Sequence, residues 1–192
     1  MIEYKNFSLE ELLKHTYDSA AWYWLGMAYW ERRDFINAAV WLEKTMNDHG
    51  NEWAGKATLN LGLAHAGKFL PNSSRDEALR LFEKILAQNP NAAMTKLNAG
   101  FLYYEGTETK HNPAKGKEFI EAAISLLIKN NGNDSYLSQG ECYKIGAMYG
   151  QEAINSKAIE YFKKAIDRAN SNYESDRSLI KNAKSIIRQL GG

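Results

Sequence analysis

Apolar residues along the chain recur at spacings of three and four positions, and strict alternation of apolar and polar residues is absent. The first spacing places apolar side chains on one face of a helix, whereas alternation is typical of a half-buried strand. Alanine, leucine, lysine and glutamate carry the pattern, valine occurs once, and there are three prolines. The pattern therefore predicts an all-helical chain.

One short segment occurs four times, as WLGMAY, NLGLAH, NAGFLY and KIGAMY. Its glycines are Gly26, Gly62, Gly100 and Gly146, at intervals of 36, 38 and 46 residues. A ring-bearing residue stands three positions after each glycine. Self-similarity at such a period is typical of repeat folds, so we predict four copies of a two-helix unit.

A second segment follows each copy and combines one small residue with a pair of large apolar residues. The small residues are Ala38, Ala78, Gly116 and Ala158, and the pairs are Trp41-Leu42, Leu81-Phe82, Phe119-Ile120 and Tyr161-Phe162. A glycine inside a helix costs roughly 1 kcal/mol relative to alanine. We expect each repeat glycine to offset this cost by letting the second helix pack closely against the first.

These segments resemble the tetratricopeptide repeat superfamily, and its Sel-like subclass in particular. The family pattern is L-G-x-x-Y in the first helix and A-x-x-W/Y/F-F/Y/L in the second, and the resemblance covers about residues 19–170. The glycine precedes the small residue by 12 positions in copies one and four, and by 16 in copies two and three, as in Sel-like units. Ala99, His65 and Gly116 depart from the pattern. The resemblance implies a right-handed α-solenoid of antiparallel helix pairs.

The predicted organisation is one continuous domain of about ten helices. It comprises a capping helix over 1–18, repeats over 19–50, 51–90, 91–132 and 133–171, and a capping helix over 172–192. Ser8 and Glu11 have the spacing of a capping box, which predicts a helix start. The last helix has one apolar face, as expected of the end of a solenoid.

Patterns for catalysis are weak. The stretch GLAHAGKF, ending at Phe69, resembles a phosphate loop but lacks the final hydroxyl, so we interpret Gly67 as the end of a helix. The four histidines have no metal-ligand spacing. His65 is predicted to be a packed ring and Cys142 a core thiol. We therefore predict no enzyme, no cofactor and no metal site.

Charge and segment composition narrow the class of partner. Lys and Arg total 24 against 23 acidic residues, a net charge of +1 that argues against a general nucleic-acid binder. The start MIEYKNFSLEELLKH has no apolar core, so we do not expect it to be a signal peptide. No run of about 18 apolar residues predicts a membrane span. With one cysteine and therefore no internal disulfide, a cytoplasmic protein is expected.

Arrays of this family bind ligands on a concave surface, lined at positions −3, +1 and +4 from each glycine. These positions form an apolar, aromatic groove, and the predicted partner-binding residues are Tyr23, Met27, Trp30, Leu63, Phe101, Tyr104 and Tyr143. We expect a non-enzymatic adaptor that binds a peptide or helix of another protein. Filling of the groove by the flanking helices, or by a second copy in a homodimer, remains open.

A basic stripe in the last helix gives an alternative. Arg177, Lys181, Lys184 and Arg188 are spaced by four, three and four residues and so share one helix face. Such a face is commonly only solvated, but it also suits RNA or a nucleotide. The alternative function is therefore a regulatory RNA- or nucleotide-binding repeat protein.

Overall fold

The structure, a computed structural model, describes residues 3–192. Over that range the chain forms ten α-helices and no strand, which confirms the predicted all-helical class and helix count. The first two residues of the predicted capping segment 1–18 lie outside the described residues. The chain divides into two compact units, Met1–Ala123 and Ile124–Gly192.

The helices follow one another with short connections, and two 3-10 turns, Tyr4–Asn6 and Leu13–His15, flank the first. They are α1 (Leu9–Leu12), α2 (Ser19–Glu31), α3 (Phe35–Asn47), α4 (Ala54–Ala66), α5 (Arg75–Gln88), α6 (Ala93–Glu105), α7 (Pro113–Asn131), α8 (Gln139–Gln151), α9 (Asn155–Arg168) and α10 (Glu174–Gln189). The boundary between the two units falls inside α7.

Side-chain caps fix where several helices begin. The predicted capping box of α1 is confirmed, because the Ser8 hydroxyl accepts from the Glu11 N–H and the Glu11 carboxylate accepts from the Ser8 N–H. Ser138 and Glu141 repeat this arrangement at α8. Asp18, Asp34 and Ser74 accept backbone N–H groups at the starts of α2, α3 and α5. Each cap satisfies a donor that the helix itself leaves unpaired.

The repeat glycines lie where the first helix of each pair meets the second. A Cβ atom at Gly26 would lie 2.8 Å from Leu42 Cγ, and one at Gly100 would lie 2.8 Å from Ile120 Cγ1. At Gly62 and Gly146 the added atom would meet the rings of Phe82 and Phe162. In every copy the neighbour is therefore the second residue of the large pair. The predicted close packing at these glycines is confirmed.

Close helix packing also explains Gly116, the glycine that departs from the family pattern. A Cβ atom there would lie 2.7 Å from Cα of Tyr104, so α7 passes directly against the backbone of α6. Alanine, the family residue at this position, would not fit without moving a helix. The substitution of alanine by glycine thus allows an unusually close helix pair.

In the unit Met1–Ala123, each helix packs against the next one in the chain, from α2 to α6. The N-terminal segment packs on α2, where Tyr4 and Leu12 form a buried cluster with Ala21 and Leu25. In the unit Ile124–Gly192, α8 packs with α9 and α9 with α10. The buried face of α10 includes Ala183 and Ile187. The assignment of residues to individual repeats stays a prediction.

One residue in the left-handed backbone conformation follows each of the helices α2, α4 and α8. These residues are Arg33, Lys68 and Ala153, with φ of 60°, 58° and 57°. Gly67 does cap α4, as interpreted, but with an ordinary φ of −80°. It is needed for space, because a Cβ atom there would lie 2.7 Å from the Phe69 ring. At the end of α6, Gly106 itself takes the left-handed conformation, with φ of 87°.

Candidate functional site

Three of the predicted site residues, Tyr23, Met27 and Trp30, lie on one face of α2, and the first two contact α4 or its N-cap residue Trp53. Tyr23 is buried, 8% exposed, and stacks on Trp53 with ring centroids 5.0 Å apart. Trp24 meets Trp53 edge-on at 4.9 Å. The Asn60 amide donates a hydrogen bond to the Met27 Sδ, 3.0 Å away. Aromatic and polar contacts therefore hold α2 and α4 together along this face.

Trp30, at the end of α2, belongs to an aromatic cluster of Trp30, Phe35 and Phe69. The Trp30 ring meets Phe35 edge-on at 5.1 Å, and Phe35 stacks on Phe69 at 4.6 Å with an interplanar angle of 15°. Phe69 is 46% exposed. The turn after α2 and the turn after α4 are thus joined by rings, one of which faces solvent.

The predicted residues on α4 and α6 include one buried and two half-buried side chains, as those on α2 do. Leu63 is half-buried and packs against the cluster that contains Ala99, Leu102 and Tyr103. Phe101 is buried, 6% exposed, whereas Tyr104 is half-buried. Because Tyr23 and Phe101 present little surface, the accessible part of the predicted groove in this unit is Met27, Trp30, Leu63 and Tyr104.

Tyr143 lies on α8 in the unit Ile124–Gly192. It is half-buried, and its ring meets Phe162 edge-on at 5.2 Å. The structure therefore brings six of the seven predicted residues into one compact unit and places the seventh in the other. The role of all seven in partner binding stays a prediction.

Sequence reasoning assigned no role to Trp53, Phe35 or Phe69. The turns RRDF and AGKF both follow the end of a helix and place a phenylalanine directly after a charged residue. That recurrence was a usable signal, because an aromatic residue at the same turn of two neighbouring repeats can meet its counterpart. Trp53 gave no comparable signal.

An ionic network around the buried Asp134 joins the segment between α7 and α8 to α9 in the second unit. Asp134, 7% exposed, accepts from Lys164 Nζ at 2.6 Å and from Arg168 Nη2 at 3.0 Å. Burial alone would raise the pKa of Asp134, but these two cations hold it below its ordinary value. Arg168 also donates to the Sγ of Cys142 at 2.7 Å and to the Leu137 carbonyl at 3.0 Å.

Cys142 is completely buried, as expected of a core thiol. Burial raises its pKa and so keeps the sulfur protonated. His65 is half-buried at the ring position, with Nδ1 accepting from the Ser74 N–H at 3.4 Å. Among residues 3–192, no group of three or more His, Cys, Asp or Glu side chains is arranged to hold a metal ion. No described helix is both long and apolar enough to cross a membrane.

The four basic residues of the α10 stripe are exposed. Arg177 donates to the carbonyl oxygen of Ser171 at 3.1 Å, and Arg188 to that of Lys184 at 3.3 Å. These bonds are within or next to the same helix. The stripe is therefore accessible to a partner.

Comparisons with known proteins bear on the fold of the chain. No protein-family model matches the chain, and no curated protein matches it. Among solved structures, one described as MamA AMB-1 P212121 aligns with a TM-score of 0.51 and 17% identity, over 90% of this chain and 84% of that one. The chain has a tetratricopeptide-like repeat fold.

The match with MamA, together with the sequential helix packing within each unit, confirms the all-α solenoid class. Membership of the Sel-like subclass stays a prediction. Because fold alone does not define function, the function of this chain has to be inferred from its surfaces.

Proposed function

We propose that the protein is a non-enzymatic interaction module that binds a peptide or helix of a partner protein along the inner face of α2, α4 and α6. The observation that carries this proposal is the partial exposure of Met27 and Leu63, at equivalent positions of two successive repeats, and of Trp30 on the same face as Met27. Large side chains of this kind, aromatic ones above all, provide much of the binding energy at protein interfaces.

The fully buried core beneath this face is formed by other side chains. Leu25 and Leu42 are completely buried, and Leu61 is nearly so. Met27, Trp30 and Leu63 lie at the edge of that core and keep part of their surface in solvent. A partner that covered them would remove apolar surface from water, which is favourable at about 25 cal/mol per Å².

The face is also held in place before any partner arrives. The stack of Tyr23 on Trp53 and the hydrogen bond from Asn60 to Met27 fix α2 relative to α4. A surface that needs no ordering on binding loses less conformational entropy. This supports a rigid groove rather than a flexible one.

Polar substitutions of similar size test the groove without removing volume from the core. The variant Met27→Gln with Leu63→Asn should lose at least about tenfold in affinity for the natural partner, because it places amides where apolar contact is needed. The partner is first captured from the native cell and identified by mass spectrometry. Its affinity for the purified chain is then measured by calorimetry.

The matched control makes the same change at exposed apolar residues outside the groove, as Leu13→Asn with Ile128→Gln. This control should bind as the original chain does. Circular dichroism should show both variants folded. If the groove variant unfolds instead, Met27 and Leu63 belong to the core and the groove assignment is wrong.

The alternative function is RNA or nucleotide binding by the α10 stripe, and the exposure of its four basic residues supports retaining it. It predicts affinity for single-stranded RNA that falls steeply with salt and is lost in Lys181→Glu with Lys184→Glu. Fluorescence anisotropy at low and physiological salt measures this. Salt-insensitive capture of a protein, with no RNA binding, excludes it.

A further inference from the structure

Three basic residues lie in the turns beside the aromatic cluster of the first unit. Arg32 and Arg33 follow α2, and Lys68 follows the cap of α4. All three are exposed. Within residues 3–192, no carboxylate lies within ion-pair distance of any of them. Three exposed cations without ion-pair partners therefore lie in the turns that adjoin the aromatic cluster.

The ring contacts bring the two turns together. Lys68 directly precedes Phe69, and Arg33 stands two residues before Phe35. Because Phe35 stacks on Phe69 at 4.6 Å, the turns that carry these cations meet at one apolar patch. We name this patch and its cations the turn surface, made of Trp30, Arg32, Arg33, Phe35, Lys68 and Phe69.

The turn backbone does not explain why the residues are basic. Arg33 and Lys68 adopt the left-handed conformation that favours glycine, yet Ala153 does the same at the equivalent turn of the second unit. The left-handed turn is thus a property of the fold. What distinguishes the first two turns is their positive charge and the adjoining rings.

We propose that the turn surface docks an acidic segment of a partner protein, with a large apolar side chain of that segment packed on Phe69 and its carboxylates paired with Arg33 and Lys68. This rests on the proposed function and specifies the chemistry of its partner. Charge complementarity selects the occupant, since the exposed cations have no internal counter-ions and the patch between them is apolar.

Single-stranded nucleic acid, which also combines rings with negative charge, fits less well. Its charge repeats at every nucleotide, so strong binding needs a longer basic track than these turns provide. The same turns contain Glu31 and Asp34. Asp34 is occupied in capping α3, where its carboxylate accepts from the Asn37 backbone and side chain.

The left-handed turns allow the positive charges to be removed without straining the backbone. In Arg33→Gly with Lys68→Gly, two cations disappear while the backbone gains the residue that its conformation favours. A loss of binding in this variant is therefore not a loss of folding. Phe69→Ser separately removes the exposed ring.

The probe is a synthetic fluorescein-labelled peptide with one phenylalanine flanked on both sides by aspartates, measured by anisotropy with the full chain. We expect the double glycine variant to weaken its binding about fivefold, because exposed ion pairs each contribute little. Phe69→Ser should weaken it about tenfold, because the apolar contact is central. Both effects should be present at low and physiological salt, the first being smaller at higher salt.

Two control variants should leave peptide binding unchanged. Lys181→Gln with Lys184→Gln lowers the net charge equally on α10, and Ala153→Gly changes a left-handed turn without changing charge. The inference is overturned if the original chain does not bind the peptide, if an asparagine version binds equally well, or if an oligouridylate binds more tightly than the peptide.

The outcomes for this inference and for the proposed function are separable. If the groove variant Met27→Gln with Leu63→Asn weakens the natural partner while Arg33→Gly with Lys68→Gly does not, the proposed function holds and the turn surface is not a docking site. If neither variant weakens the natural partner, both proposals fail.

Discussion

At the scale of single residues, the chain uses glycine to set helix spacing. Each repeat glycine faces the second residue of the large apolar pair in the following helix, and at Gly62 the facing group is the Phe82 ring. A ring held in a core cannot move aside as the tip of a flexible side chain can. Its neighbour therefore has to lack a side chain.

We predict opposite effects for two glycine-to-alanine substitutions in α4. Gly62→Ala should lower the free energy of unfolding by about 1–3 kcal/mol, because the clash with Phe82 outweighs the gain in helix propensity. Gly55→Ala should raise it by up to about 1 kcal/mol, because nothing lies within 4 Å of the added atom. Urea unfolding of both variants measures this. Stabilisation by Gly62→Ala would contradict the packing role.

At the scale of elements, the loop between α6 and α7 holds the start of α5. The Glu108 carboxylate accepts from the backbone N–H groups of Arg75 and Asp76, at 3.0 and 2.8 Å. These two hydrogen bonds, with one from the backbone N–H of Glu108 itself, lower the pKa of Glu108 to about 2. Arg75 adds an ion pair to Glu105 at 2.6 Å. A carboxylate from one repeat thus caps a helix of the preceding one.

This cap predicts a defined pH dependence. Because the pKa of Glu108 is about 2 in the folded chain and 4.5 for an ordinary glutamate side chain, its contribution to stability is fully present above pH 4.5. It is lost progressively as the pH falls toward 2. We expect Glu108→Gln to be less stable than the original chain at neutral pH, with the difference shrinking through that window.

Urea unfolding across a pH series measures the effect, and hydrogen exchange should show faster exchange of the Arg75 and Asp76 amides in Glu108→Gln. Glu118→Gln, at an exposed position of α7, is the matched control and should change neither quantity. A stability difference between Glu108→Gln and the original chain that does not vary with pH would rule out the carboxylate as the cap.

The sequence was sufficient to predict the helices, but it did not predict the contacts between turns of successive repeats. The helix periodicity, the capping box at Ser8 and the repeat glycines are local patterns, and each is present in the structure as predicted. The stack of Phe35 on Phe69 and the Glu108 cap join residues about thirty positions apart. Such contacts depend on how successive repeats are placed in space, which no single repeat encodes.

At the scale of the whole molecule, sequence reasoning predicted one continuous domain, and the chain clusters into two compact units. Each unit contains its own buried contact between a repeat glycine and a large apolar residue. Phe82 packs on Gly62 in the first, and Phe162 packs on Gly146 in the second. The five tryptophans, the last of which is Trp53, all lie in the first unit. Tryptophan fluorescence therefore reports on that unit alone, whereas circular dichroism reports on both.

We predict that the two units unfold separately when one of them is weakened. Phe162→Ala removes a buried ring from the second unit and should cost it about 3–5 kcal/mol. Urea should then produce an early transition in circular dichroism that tryptophan fluorescence does not follow. Phe82→Ala, the equivalent change in the first unit, should move the fluorescence transition instead. Coincident shifts of both signals in Phe162→Ala would mean that the chain unfolds as the single cooperative domain that its repeats suggest.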